Sequence, residues 1–144
     1  MARRVLRAAL VAGVLSGIPS TVITLAKGDD PLESTVAVGS ALLPEEEDLA
    51  TLVGAGLLAH FAISLGWTIA FAIIMRKNPT WIRGGLLGGL VGTIDLELAS
   101  LRFPQIAALP KVPQLLDHIA FGALVGGVLL PREDPAPLPP HAEV

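Results

Sequence analysis

From Leu49 to Met75 the chain carries no Asp, Glu, Lys or Arg, and this run constrains the fold more than anything else in the sequence. As an α-helix it extends roughly 40 Å, longer than the ~30 Å hydrocarbon core of a bilayer. A soluble core has no need of such a segment. In lipid the backbone finds no water, so an apolar run of this length must close its hydrogen bonds within one helix. Three shorter runs, 8–26, 84–101 and 113–130, each extend roughly 27–28 Å as helices. Asp95, Glu97 and Asp117 interrupt the last two, which are otherwise dominated by Leu, Val, Ile, Ala and Gly. The reading is an all-α bundle of four transmembrane helices, with 49–75 tilted or projecting past the bilayer. It forms one membrane domain, 1–130, followed by a proline-rich cytoplasmic tail, 131–144.

Charged residues make up 16% of the chain, against about 25% in an ordinary soluble domain, and most of them mark span ends. With the N-terminus inside, Arg3, Arg4, Arg7, Arg76, Lys77, Arg83 and Arg132 fall on the cytoplasmic side, and Lys27, Arg102 and Lys111 outside. That excess places both termini in the cytoplasm of a multi-pass protein of the inner (plasma) membrane. Arg3, Arg4 and Arg7 ahead of an apolar stretch, with Thr24 and Ala26 after it, imitate a signal peptide. The stretch is long enough to span, so an uncleaved first helix is expected. The first external loop is acidic, and its middle, 31–44, is apolar enough for a short interfacial helix opened by Pro31 and closed by Pro44.

Scattered basic residues and a net charge of −3 argue against nucleic acid as a partner. Zero cysteines exclude disulfides, thiolate metal sites and cysteine nucleophiles.

Glycine recurs at helical spacing: Gly13 and Gly17 in the first span, Gly84, Gly88 and Gly92 in the third, Gly122 and Gly126 in the fourth. Small residues so spaced let helices approach closely in lipid. Followed along each helix at i, i+3 and i+4, the seams reach polar residues. Gly13 and Gly17 lead to Thr21 and Thr24. Gly56 leads to His60, Ser64 and Trp67. Gly92 leads to Asp95, and Gly122 and Gly126 share a face with His118. Thr21, Asp95, Glu97, Asp117 and His118 all lie within roughly 10 Å of the outer ends, and His60 lies near the midplane. A polar layer in the outer half of the bundle is expected. Ionisable groups at such depth cost ~2.5–3.5 kcal/mol for Asp on insertion scales and are site candidates by default.

The intramembrane candidates are therefore Thr21, His60, Asp95, Asp117 and His118, with Glu97, Ser64 and Ser20 secondary. Asp95 continues the glycine seam inward. Glu97, about 200° around the helix, meets another helix or the interface. Asp117 reads either as a member of the layer or as a cap for its own helix near Pro113. His60 and His118 differ in depth by about 9 Å, which does not suit two axial ligands of one haem. No metal, cofactor or catalytic residue is expected. Trp67 reads as a packing residue, Trp81 as an interfacial anchor. Pro19 should kink the first helix, with Ser16, Ser20 and Thr21 re-satisfying the freed backbone.

The segments Gly17-Ile-Pro-Ser-Thr21, Asp30-Pro-Leu-Glu-Ser-Thr35, Arg102-Phe-Pro-Gln-Ile-Ala-Ala-Leu-Pro110 and Asp117-His-Ile-Ala-Phe-Gly122 resemble those of small four-span membrane proteins of high-GC bacteria. The resemblance touches all four helices and implies the topology. That group has no established activity, so the resemblance implies no catalytic residues. The functional expectation is a non-enzymatic bundle, an accessory subunit or self-associating module, with the lipid bilayer and a second membrane protein or copy as partners. The alternative is an oligomeric proton- or cation-coupled carrier of small solutes with Asp95 and His118 as relay groups. A third class is a membrane-embedded lipid-modifying enzyme.

Overall fold

The computed structural model describes residues 2–130, so the proline-rich segment 131–144 lies outside the described residues. The described chain is helical throughout, with no strand among these residues: α1 (Ala2–Leu15), α2 (Ile18–Lys27), α3 (Glu33–Leu42), α4 (Leu49–Ile74), α5 (Trp81–Arg102), α6 (Pro104–Ala107) and α7 (Lys111–Leu129). Four stretches are long and apolar enough to cross a membrane: α1 with α2 as one broken span, α4, α5 and α7. The chain is a multi-pass membrane protein.

Local chemistry sets several of the boundaries. Gly28 ends α2 at φ 78°, a left-handed conformation that only glycine adopts without strain. Asp48 opens α4 by accepting from the Thr51 amide at 2.8 Å, and Thr80 opens α5 by accepting from the Arg83 amide at 3.1 Å. The Asp48 carboxyl is held below its ordinary range, first by the Thr51 amide and then by the Thr51 hydroxyl. A depressed carboxylate contributes stability above its unfolded pKa and loses it as pH falls through the folded one. Amide protection at Thr51 should therefore hold at neutral pH and drop below about pH 4, a change that hydrogen exchange reads directly and that Asp48→Asn should largely abolish.

The fourth long helix, α7, is central: it packs against α1, α2, α4 and α5. The buried core gathers Ala12, Phe71, Met75, Val91, Phe121 and Val125, with Trp67 and Leu87 against it. The rings of Phe71 and Phe121 meet at 6.1 Å, tilted by 59°. Large apolar residues point outward, Leu58, Ile82 and Leu101 at 74–85% exposure, as lipid-facing positions do.

The closest helix pair is α5 and α7, and glycine makes it so. A β-carbon on Gly84 would strike the Gly122 carbonyl, and one on Gly122 the Gly84 carbonyl. Gly88 lies against the His118 carbonyl and Gly126 against that of Thr80 in the same way. A second tight crossing joins α3 to α4, where Gly39 faces the Leu52 carbonyl and Gly56 that of Thr35. The first-span glycines differ. Gly13 is in ordinary contact range of Ser64, and Gly17 faces open space. Trp81 lies over Gly127 at the start of α5, packed against α7.

Candidate functional site

Two polar constellations lie between the helices, both centred on consecutive residues of α7. Asp117 and His118 are about 100° apart around that helix, so they address different neighbours.

The first constellation is the break in the first span. Pro19 has no N–H to give the Leu15 carbonyl, and its ring crowds that carbonyl. The helix accordingly opens in the turn before the proline, at Ser16 and Gly17, rather than bending at Pro19 itself. Gly17 becomes the N-cap of α2, its carbonyl accepting the Thr21 amide at 3.0 Å, the Thr21 hydroxyl at 2.7 Å and the Ser20 hydroxyl at 3.2 Å.

Opening the helix frees backbone groups on both sides, and one on each side is met by an ionisable side chain from another helix. The Gly13 carbonyl, near the C-terminal end of α1, takes His60 Nε2 of α4 at 2.8 Å. A carbonyl only accepts, so Nε2 carries a proton. The Ser20 amide, in the first turn of α2, donates to Asp117 Oδ1 at 2.9 Å. Both signs match the half-helix dipoles, with a carboxylate at an N-terminus and a donor at a C-terminus.

This corrects the reading of Asp117 as a cap for its own helix. It is the seventh residue of α7, beyond the first turn where unpaired amides remain. It caps α2 instead.

The second constellation joins α4, α5 and α7. Trp67 Nε1 donates to Asp95 Oδ2 at 3.2 Å, and His118 Nε2 lies 3.9 Å from that same oxygen. His118 Nδ1 is 2.8 Å from the Gln114 carbonyl one turn back. The Gln114 side chain donates to Ser34 Oγ at 2.9 Å, which ties α7 to α3 beside the pair. Gly92 makes this geometry available: a β-carbon there would sit 2.5 Å from that of His118. The glycine is the slot through which the imidazole reaches Asp95, one turn further along α5.

The remaining candidates are placed as follows. Ser64 is buried against α1, with its carbonyl accepting the Thr68 hydroxyl at 2.7 Å. Thr21 is exposed and serves only the break, so the first-span seam does not carry it inward. Glu97 pairs with Lys111 at 2.8 Å, with both side chains more than half exposed. A pair so placed contributes little to stability. Trp67 does more than pack. A partly buried indole N–H seeks an acceptor, and Asp95 on the next span supplies it. No cluster of three or more His, Asp or Glu residues able to hold a metal occurs among the described residues.

Fold and site together define a multi-pass helical membrane protein with a broken first span and partly buried ionisable residues between its helices. Compared with protein-family models, with curated proteins and with solved structures, the chain matches none.

Proposed function

We propose that the protein is a non-enzymatic module of the inner (plasma) membrane, self-associating or serving as an accessory subunit of another membrane protein. In this reading both termini are cytoplasmic, α3 lies at the outer interface, and the Asp95–His118 layer sits in the outer half. One observation carries it: within a single copy the side chains of Asp95 and His118 remain 35% and 29% exposed. They lie about 10 Å from the Arg102 and Lys111 ends of their helices, where uncovered polar surface is costly. A neighbouring helix from a second copy or a partner subunit removes that cost.

Native mass spectrometry of the protein released from lipid nanodiscs tests this. An oligomer, or a complex of fixed stoichiometry, is the expected result. A strictly monomeric species with no accompanying protein overturns it.

A second reading rests on the broken first span, since discontinuous helices build midplane sites in many transporters. On that reading the chain is an oligomeric proton- or cation-coupled carrier of small solutes. Proteoliposomes should then show solute flux that Asp95→Asn and His118→Ala abolish. Flux unchanged by both substitutions removes those residues from the mechanism.

A further inference from the structure

We propose that Asp95 and His118 form a binding site for one exchangeable proton, held on His118 Nε2 and directed at Asp95 Oδ2. The inference stands on side-chain geometry and is independent of whether the chain acts as a module or a carrier.

The Gln114 carbonyl, 2.8 Å from Nδ1, has only lone pairs to offer, so Nδ1 must carry hydrogen. In a neutral imidazole Nε2 is then a bare lone pair. It faces Asp95 Oδ2 across 3.9 Å, and Oδ2 is itself an acceptor, already taking the Trp67 indole N–H at 3.2 Å. Two acceptors facing each other is an unfavourable arrangement, and one proton between them reverses its sign.

The step is simple to balance. A proton arriving from water forms an N–H bond on Nε2 and no bond breaks. The pair passes from a net charge of −1, carboxylate with neutral imidazole, to zero, carboxylate with imidazolium. A neutral pair is the less costly occupant of a membrane interior. Within a single copy about a third of each side chain is open.

Neighbouring groups define what such a proton senses. From α5 the facing titratable group is Asp95. On α7 itself Asp117 lies within electrostatic reach of His118, and from α4 so does His60 with respect to Asp117. Asp117 is engaged by the Ser20 amide and His60 by the Gly13 carbonyl. Trp67 and Gln114 fix the two partners without titrating. Gly92 sets the approach. Two side chains suit a proton, whereas a metal ion would need more ligands.

The test is nitrogen NMR of ring-labelled histidine in the full chain, reconstituted in lipid nanodiscs. Signals are assigned through His60→Gln and His141→Gln variants. In the wild type, His118 should show hydrogen on Nδ1 at every pH, and on Nε2 in addition as the sample is acidified. Asp95→Asn, which removes the charge facing Nε2, should displace the pH of that second protonation. Trp67→Phe, which removes the indole donor and trims the ring but leaves both titrating partners, should move it by less. Hydrogen on Nε2 alone in the neutral ring overturns the proposal, as does a profile unmoved by Asp95→Asn. The wild-type tautomer and the Trp67→Phe profile decide the matter even where Asp95→Asn does not fold.

Discussion

Valine at Gly122 is expected to push α5 away from α7 and to destabilise the bundle by about 3 kcal/mol, the upper end of the range for overpacked sites. The magnitude follows from what the new side chain would meet. Its β-carbon runs into the Gly84 carbonyl, with the Gly88 amide nitrogen 2.8 Å away. Backbone of a packed helix does not swing aside as the end of a flexible side chain does, so the two helices must separate along their length. Separation also undoes the Gly88, Gly92 and Gly126 contacts and the approach of His118 to Asp95. Gly54→Ala and Gly66→Ala are the controls, because a β-carbon at either position meets nothing within 4 Å. They should be neutral or slightly stabilising, within the ~1 kcal/mol that alanine gains over glycine in a helix. Unfolding by SDS titration in mixed micelles, followed by circular dichroism, ranks the three. Equal stability of Gly122→Val and the controls would show that the seam is not close-packed.

Asp117→Ala should loosen the first span although it is made on the last. It leaves the Ser20 amide without its acceptor, at a cost of ~1–3 kcal/mol for an unpaired buried donor. Asp117→Asn keeps an oxygen in place and loses only the charge facing the α2 dipole, worth ~0.3–1 kcal/mol. The readout is hydrogen exchange at Ser20 and in the first turn of α2, where each 1.4 kcal/mol lowers protection about tenfold. Protection that falls equally in both variants would show that charge, rather than the hydrogen bond, holds the break. Protection unchanged in the alanine variant would mean that Asp117 does not cap α2 at all.

The long helices were legible because lipid imposes a simple rule on sequence: apolar residues over the whole thickness, charges at the ends. A short helix, α3, forms within the apolar stretch between Pro31 and Pro44, from Glu33 to Leu42. Pro19 announced the disturbance in the first span, and the helix opens at Ser16 and Gly17 because the ring acts on the Leu15 carbonyl one turn back. The seam glycines of α5 and α7 pointed along their helices toward Asp95 and His118. Spacing on one helix, however, carries no information about the rotation of its neighbour. For that reason the sequence joined Thr21 to the polar layer and left Asp117 between that layer and a cap on its own helix. It also left Trp67 as a packing residue, because the acceptor of its indole lies 28 positions away on another span. The partners of Glu97 and Gln114 are likewise properties of how α3, α5 and α7 are arranged, and they became visible only in three dimensions.

The capped break has a consequence for how the chain is made. The Ser20 amide and its acceptor are 97 residues apart, and the Gly13 carbonyl and His60 are 47 apart. During synthesis the first span therefore emerges with a gap in its hydrogen-bonding ladder. The gap closes in two instalments, one when the second span arrives and one when the last does. Until then the Gly13 carbonyl and the Ser20 amide lack partners that lipid cannot supply. Completion of the final helix is thus the event that lets the first one settle.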